Sequence, residues 1–164
     1  MMRISRLLGV WSVLLALGCA SGVSGQARSQ VTYRGSFAEV QKAPEKYQGE
    51  IVMFGGKVIE TKTDPTLSEI VVLQLPLDGN DRPEDTDRSE GRYLIRSDQF
   101  LDPAIYPKDG LLTVVGRLSG AEVRSIGGFQ YTYPVVQAME IKPWERIEKT
   151  SPAVHFGIGV GTSF

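Results

Sequence analysis

The stretch Glu50–Thr63, EIVMFGGKVIETKT, sets the fold class. Its β-branched and aromatic residues suit a pleated surface, and its Gly55-Gly56 pair predicts a bulge or sharp bend within one long, curved strand. The same character returns four times downstream: SEIVVLQLPL (68–77), GRYLIRS (91–97), GLLTVVGRLSG (110–120) and GFQYTYPVVQAMEI (128–141). Turn signals at Asp64-Pro65 and Gly127-Gly128 separate the strands. Between the third and fourth, DQFLDPAIYPKDG (98–110) carries two prolines and has room for only a helical turn or two. The expected fold is therefore all-β: a small OB-like five-stranded barrel, with a short helical link between strands 3 and 4. Closure of the barrel removes exposed edges. A six- or seven-stranded sandwich is the alternative.

Upstream of the first strand, SFAEVQKAPEKYQG (36–49) predicts a short N-terminal helix. Ser36 and Glu39 have capping-box spacing, Phe37 and Val40 with Tyr47 give one apolar face, and Pro44 marks the stop. Further back, Arg3 and Arg6 precede an apolar run, Leu7 to Leu17, that is shorter than the roughly 20 residues of a membrane-crossing helix. Residues 1–18 read as a signal peptide. The only cysteine, Cys19, has no partner for an internal disulfide, and Leu15-Ala16-Leu17-Gly18-Cys19 resembles a bacterial lipobox. Ala20–Gln30, ASGVSGQARSQ, is small and polar. The expected organisation is a lipoprotein signal peptide (1–18), a lipidated flexible tether (19–35), a β-barrel domain (36–146) and a Gly-rich tail (147–164).

Charge excludes one class of partner. The chain has 18 basic and 19 acidic side chains; without Arg3 and Arg6 the balance is 16 to 19, a net of about −3 with no basic block, so nucleic acid is not an expected partner. The loop LDGNDRPEDTDRSEG (77–91) is rich in oxygen ligands, but Arg82 and Pro83 stand where a calcium loop needs an oxygen donor and a glycine. No metal or cofactor is expected beyond the covalent lipid on Cys19. His155 is the sole histidine, and no nucleophile elbow, phosphate loop or dinucleotide fingerprint is present, so the chain does not read as an enzyme.

Two aromatic features are candidates for contact with other molecules. Tyr131 and Tyr133 share one face of a strand, a candidate ligand face if it points outward and core if it points inward. Trp144 is placed to cover an open barrel end. In the tail, Phe156, Ile158, Val160 and Phe164 alternate with glycines, a pattern suited to edge pairing or membrane contact.

Together these residues resemble the Slp family of bacterial outer-membrane lipoproteins. The likeness runs through Phe37, Val40, Pro44, Tyr47 and Gly49; Gly55-Gly56; Leu75-Pro76-Leu77-Asp78; Ser89 with Gly91-Arg92-Tyr93; Asp102-Pro103 and Tyr106; Thr113-Val114 and Gly116; and Tyr131, Tyr133-Pro134-Val135-Val136 and Trp144. Asp78 and Arg92 are expected to pair across the neck of the acidic loop, and Pro76 and Pro134 to mark places where strands end or leave the ladder. The resemblance implies lipidation of Cys19 and a lipid anchor on the periplasmic face of a Gram-negative outer membrane, an address with which Ala20 agrees. It implies no particular reaction, and the expected role is a non-enzymatic one in the envelope, interacting with a protein partner or related to stress. A module binding a small envelope ligand, a glycan fragment or lipid, is the alternative.

Overall fold

The computed structural model describes residues 22–145. Cys19, His155, the leader and the glycine-rich tail lie outside them. Five strands, β1 (Ile51–Thr63), β2 (Ser68–Leu75), β3 (Arg92–Ser97), β4 (Leu111–Ile126) and β5 (Phe129–Trp144), form a closed barrel in the order β1-β2-β3-β5-β4. All neighbours are antiparallel except β3 and β5, which run parallel over Leu94–Arg96 and Val135–Gln137. This is the OB-like Greek key, and it excludes the sandwich.

β1 closes the barrel by pairing twice. Ile51–Lys57 pair with β4 and Gly55–Thr63 with β2, so Gly55, Gly56 and Lys57 are bonded on both sides. The expected bulge is not at the two glycines, where the register is regular. It falls at Ile59, opposite the step from Val72 to Val71. The glycines instead allow close approach: a Cβ on Gly56 would overlap the Leu73 carbonyl and the Val72 side chain, and one on Gly55 would overlap Leu77. Two further irregularities, at Ser119 of β4 and Met139 of β5, accommodate the coiling of the longest strand pair. Pro76 follows the last residue of β2, as expected, whereas Pro134 neither ends β5 nor leaves its ladder: it stays in register opposite Ala121 of β4 and immediately precedes the parallel ladder with β3, so the side of β5 that carries its missing donor is not yet paired.

The interior is filled by Val52, Phe54 and Val58 of β1, Ile70 and Val72 of β2, Tyr93 and Ile95 of β3, Leu112, Val114 and Leu118 of β4, and Val136 of β5. Its two ends are closed differently. At the end where β3 begins, α2 (Phe37–Lys42) inserts Phe37 and Val40, with Phe37 edge-on to Phe54 at 5.1 Å. The Ser36 hydroxyl caps this helix by accepting the Glu39 amide at 3.3 Å, and a 3-10 turn over Pro44–Tyr47 leads into β1. At the end where β3 finishes, the connection of residues 98–110 inserts Leu101 and Tyr106. It holds two hydrogen-bonded turns in place of a helix, the Asp102 carbonyl accepting the amides of Ile105 and Tyr106 and the Pro107 carbonyl that of Gly110. Thr61, Thr63 and Ser68 tie this connection to the ends of β1 and β2.

The outer surface is covered as well. Residues 22–35, expected as tether, are ordered against the barrel: α1 (Gly25–Ser29) is capped by Ser24, and Val23, Ala27 and Val31 pack on Ile51, Met53 and Val115. The composition is polar, but Ala27 within α1 and Val23 and Val31 just outside its two ends, spaced four apart, all turn toward the barrel. Thr32 and Tyr33 donate their amides to the Ile51 carbonyl, and Ile51 donates back to the Thr32 hydroxyl at 2.8 Å.

Gly56→Ala is expected to cost about 1–3 kcal/mol through forced overpacking between β1 and β2, while Gly79→Ala, where nothing lies within reach of an added Cβ, should be near neutral. Urea denaturation of the two variants checks this; equal midpoints would refute the assigned role of Gly56.

Candidate functional site

The long β2–β3 connection, residues 76–91, is built rather than loose. Asp78 folds its own turn, its Oδ1 accepting the amides of Asn80 and Arg82 at 2.8 and 3.0 Å. It therefore does not form the expected pair with Arg92, whose amide donates to the Tyr131 hydroxyl at 2.8 Å. Asp81 adopts a left-handed conformation (φ 62) and is buried: its carboxylate accepts from Arg28 of α1, and its carbonyl accepts the Thr113 hydroxyl. Trp144 borders the barrel end closed by the 98–110 connection, lining a recess with Val58, Tyr106 and Pro107. Its Nε1 donates to the Thr113 hydroxyl at 3.0 Å on the outer surface, with the Arg82 guanidinium 5.3 Å from the ring centre and the Lys142 ammonium 5.7 Å away.

Between this connection and α2 lies a cleft of about 590 Å3. Phe37, Met53, Phe54, Leu75 and Leu77 supply its apolar surface, and Gln74, Asp87, Arg88 and Glu90 its polar rim. The rim is fixed: the Gln74 amide oxygen accepts the Glu90 amide at 2.8 Å, and the Glu90 carboxylate accepts the Ala38 amide at 2.9 Å. An apolar floor with a few held polar groups suits a small amphipathic ligand. Sequence reasoning did not find this cleft, because its lining comes from α2, β1, β2 and the loop, which only folding juxtaposes.

The tyrosine pair lies elsewhere, on the outer face of β5. Beyond the barrel, β4 and β5 continue as a two-stranded arm (Glu122–Ile126 with Phe129–Tyr133) that lies across the outer face of β2 and β3. Tyr133 is only 4% exposed, packed with Val71, Leu94 and Val135, and Tyr131 stacks edge-on against it at 4.9 Å. The Tyr131 hydroxyl is occupied by the Arg92 amide. Although the pair faces outward from β5, it forms the buried seat of the arm rather than a free stacking surface. The β2–β3 face, which OB folds use for extended ligands, is here occupied by the chain's own arm.

Four charged side chains lock the arm down. Arg124 grips Glu69 with two parallel bonds of 2.7 and 2.8 Å and donates its Nε to Glu122 at 2.8 Å; Arg96 donates to Glu69 at 3.0 Å and also to Glu122. The ring alternates in sign and Arg124 also lies over the Tyr133 ring. Glu69 is only 12% exposed. Burial pushes its pKa up, but the bonds and charge of Arg124 and Arg96 outweigh this and hold it below the ordinary carboxylate value. Hydrogen bonds from the same two arginines, Arg124 first, hold Glu122 low.

Comparison with known proteins shows which sequences this chain resembles. Residues 16–158 match the outer membrane lipoprotein Slp family. The outer membrane protein Slp of Escherichia coli is 35% identical over 136 residues, covering 81% of this chain and 70% of that protein. The uncharacterized lipoprotein YeaY of the same organism is 31% identical over 138 residues, 84% of this chain and 70% of its own. An uncharacterized protein of Haemophilus influenzae is 30% identical over 128 residues, 77% and 69% of the two chains.

Because Glu69 and Glu122 have folded-state pKa values below their unfolded ones, the ring stabilises fully above about pH 4.5 and is lost as pH falls through the lowered folded values. Glu69→Gln should cost about 1.5–3 kcal/mol at neutral pH and flatten the acid limb of stability. Thermal melts of both proteins from pH 7 to 3 test this; parallel acid limbs would refute it.

Proposed function

Since the chain belongs to the Slp family of outer membrane lipoproteins, we propose that lipid on Cys19 anchors it to the periplasmic face of a Gram-negative outer membrane, where it serves a non-enzymatic interaction or stress-related role. The observation that carries this is the family match, which begins at residue 16 and so takes in Cys19 and the lipobox-like residues around it. Two acyl chains or more at one residue hold a protein firmly to a leaflet, since each buried methylene contributes about 0.8 kcal/mol.

The destinations of the ionisable groups support a role without turnover. Glu69, Glu122, Arg96 and Arg124 neutralise one another, while Asp64 and Asp78 cap turns through backbone amides. Each is engaged in holding the fold. A second reading, binding of a small envelope ligand such as a glycan fragment or lipid, is favoured by the cleft under the 76–91 connection rather than by Tyr131 and Tyr133.

Cys19→Ala is expected to abolish incorporation of radiolabelled palmitate and move the protein out of the outer-membrane fraction; continued labelling would sink the anchor. For the second reading, a muropeptide or lysophospholipid seated in the cleft should shift the amide resonances of Gly55, Leu75 and Glu90 and leave Val123 unmoved. Shifts confined to Val123 and its neighbours would exclude the cleft.

A further inference from the structure

Resting on the Cys19 anchor, we propose that the barrel is held close against the leaflet in one orientation, with the surface formed by the Asp78–Arg82 turn and Trp144 facing the lipid headgroups. Little chain separates the anchor from the fold. Gly22 is already seated against the 76–91 connection: a Cβ there would lie 2.8 Å from Asp81 Oδ2 and 3.1 Å from the Asn80 carbonyl. Three peptide steps back to Cys19 span at most about 11 Å. A tether of that length does not let a barrel stand off or turn over.

The seat of Gly22 is held from several sides. Val23, Ala27 and Val31 are buried on β1 and β4, Arg28 pairs with Asp81, and the Ser24 amide donates to Glu140 of β5 at 2.7 Å. Peeling the segment off would expose these apolar groups and leave the Asp81 carboxylate without its cation, so the exit point of the anchor is a fixed feature of the surface.

The chemistry beside that exit point suits a headgroup layer. Trp144 lies one residue away from Asp81 through the shared Thr113 hydroxyl, half-buried, with Arg82 and Lys142 against its ring. An indole flanked by cations is the composition that settles at membrane–water interfaces. Three carboxylates near the exit point are engaged, Asp78 with the amides of its own turn, Asp81 with Arg28 and Glu140 with Ser24, while the exposed Glu145 stands beside Trp144 and the cations Arg82 and Lys142 as the one acidic group left open among the described residues there. Phe129, 79% exposed, occupies the opposite end of the 16-residue β5 from Trp144 and is left away from the leaflet.

With the leader removed, Trp144 is the only tryptophan of the chain, so its fluorescence reports on this surface. The processed chain, starting at Cys19, is coupled through that single thiol to maleimide lipid in phosphatidylethanolamine–phosphatidylglycerol vesicles carrying a dansyl headgroup. Energy transfer from Trp144 should be efficient, and at least about two-fold lower when the tryptophan is moved by Trp144→Phe with Phe129→Trp. Inserting an eight-residue Gly-Ser linker after Ser21, which adds about 16 Å of reach without touching the fold, should lower transfer from Trp144. Equal or reversed transfer at the two positions, or transfer indifferent to the linker, would overturn the orientation. The linker variant keeps the test decisive if the double substitution fails to fold. Chemical coupling tests geometry alone, whereas the intact mass of the protein isolated from cells tests whether Cys19 carries lipid, so each can fail without the other.

Discussion

The structure depends on the double pairing of β1. One strand serves β4 along its first half and β2 along its second, and at Gly55–Lys57 it serves both at once. At this crossing the strands approach closely: a Cβ on Gly56 would strike the Leu73 carbonyl of β2, and at the β4–β5 seam one on Gly116 would strike the Gln137 carbonyl. Once β1 is held on both sides, only a short parallel contact of β3 with β5 is needed to complete the barrel. Closure then leaves two open ends, and α2 and the 98–110 connection supply the side chains that fill them.

Covering the outside is the second layer of organisation, and it governs what the protein has left to offer. Valine and leucine run continuously through β2 because both of its faces are buried, Ile70 and Val72 inside and Val71 beneath the β4–β5 arm. The N-terminal segment protects the outer face of β1 and β4, and the arm with its ring of arginines and glutamates protects β2 and β3. The surface a barrel of this topology uses for extended ligands is thus occupied internally, and the accessible features among the described residues include the cleft beside α2, the Trp144 surface and the tip of the arm.

Much of this was legible from local chemistry. The five strands, the Ser36 cap, the stop before Pro44 and the position of Pro76 all follow from propensities and bond donors that act within a few residues. Where expectation and structure part, the deciding contact is long-range. Gly55-Gly56 signalled a bulge, but neighbouring strands needed its lack of side chains. Residues 22–31 looked like tether because their apolar residues are few, yet Val23, Ala27 and Val31 meet Ile51 and Val115. Asp78 and Arg92 looked like partners because they flank a loop, whereas Asp78 found nearer donors in its own turn.

The sequence by itself determined the all-β class, the number and order of strands and the family likeness, since alternation, turn residues and motif spacing are written along the chain. Only the tertiary structure decided which face of Tyr133 is covered, where the cleft lies and how near the barrel the anchor must sit. Those depend on which surfaces of β1, β2 and β4 are still uncovered after closure, and on the few apolar and charged side chains, distant in the chain, that reach them.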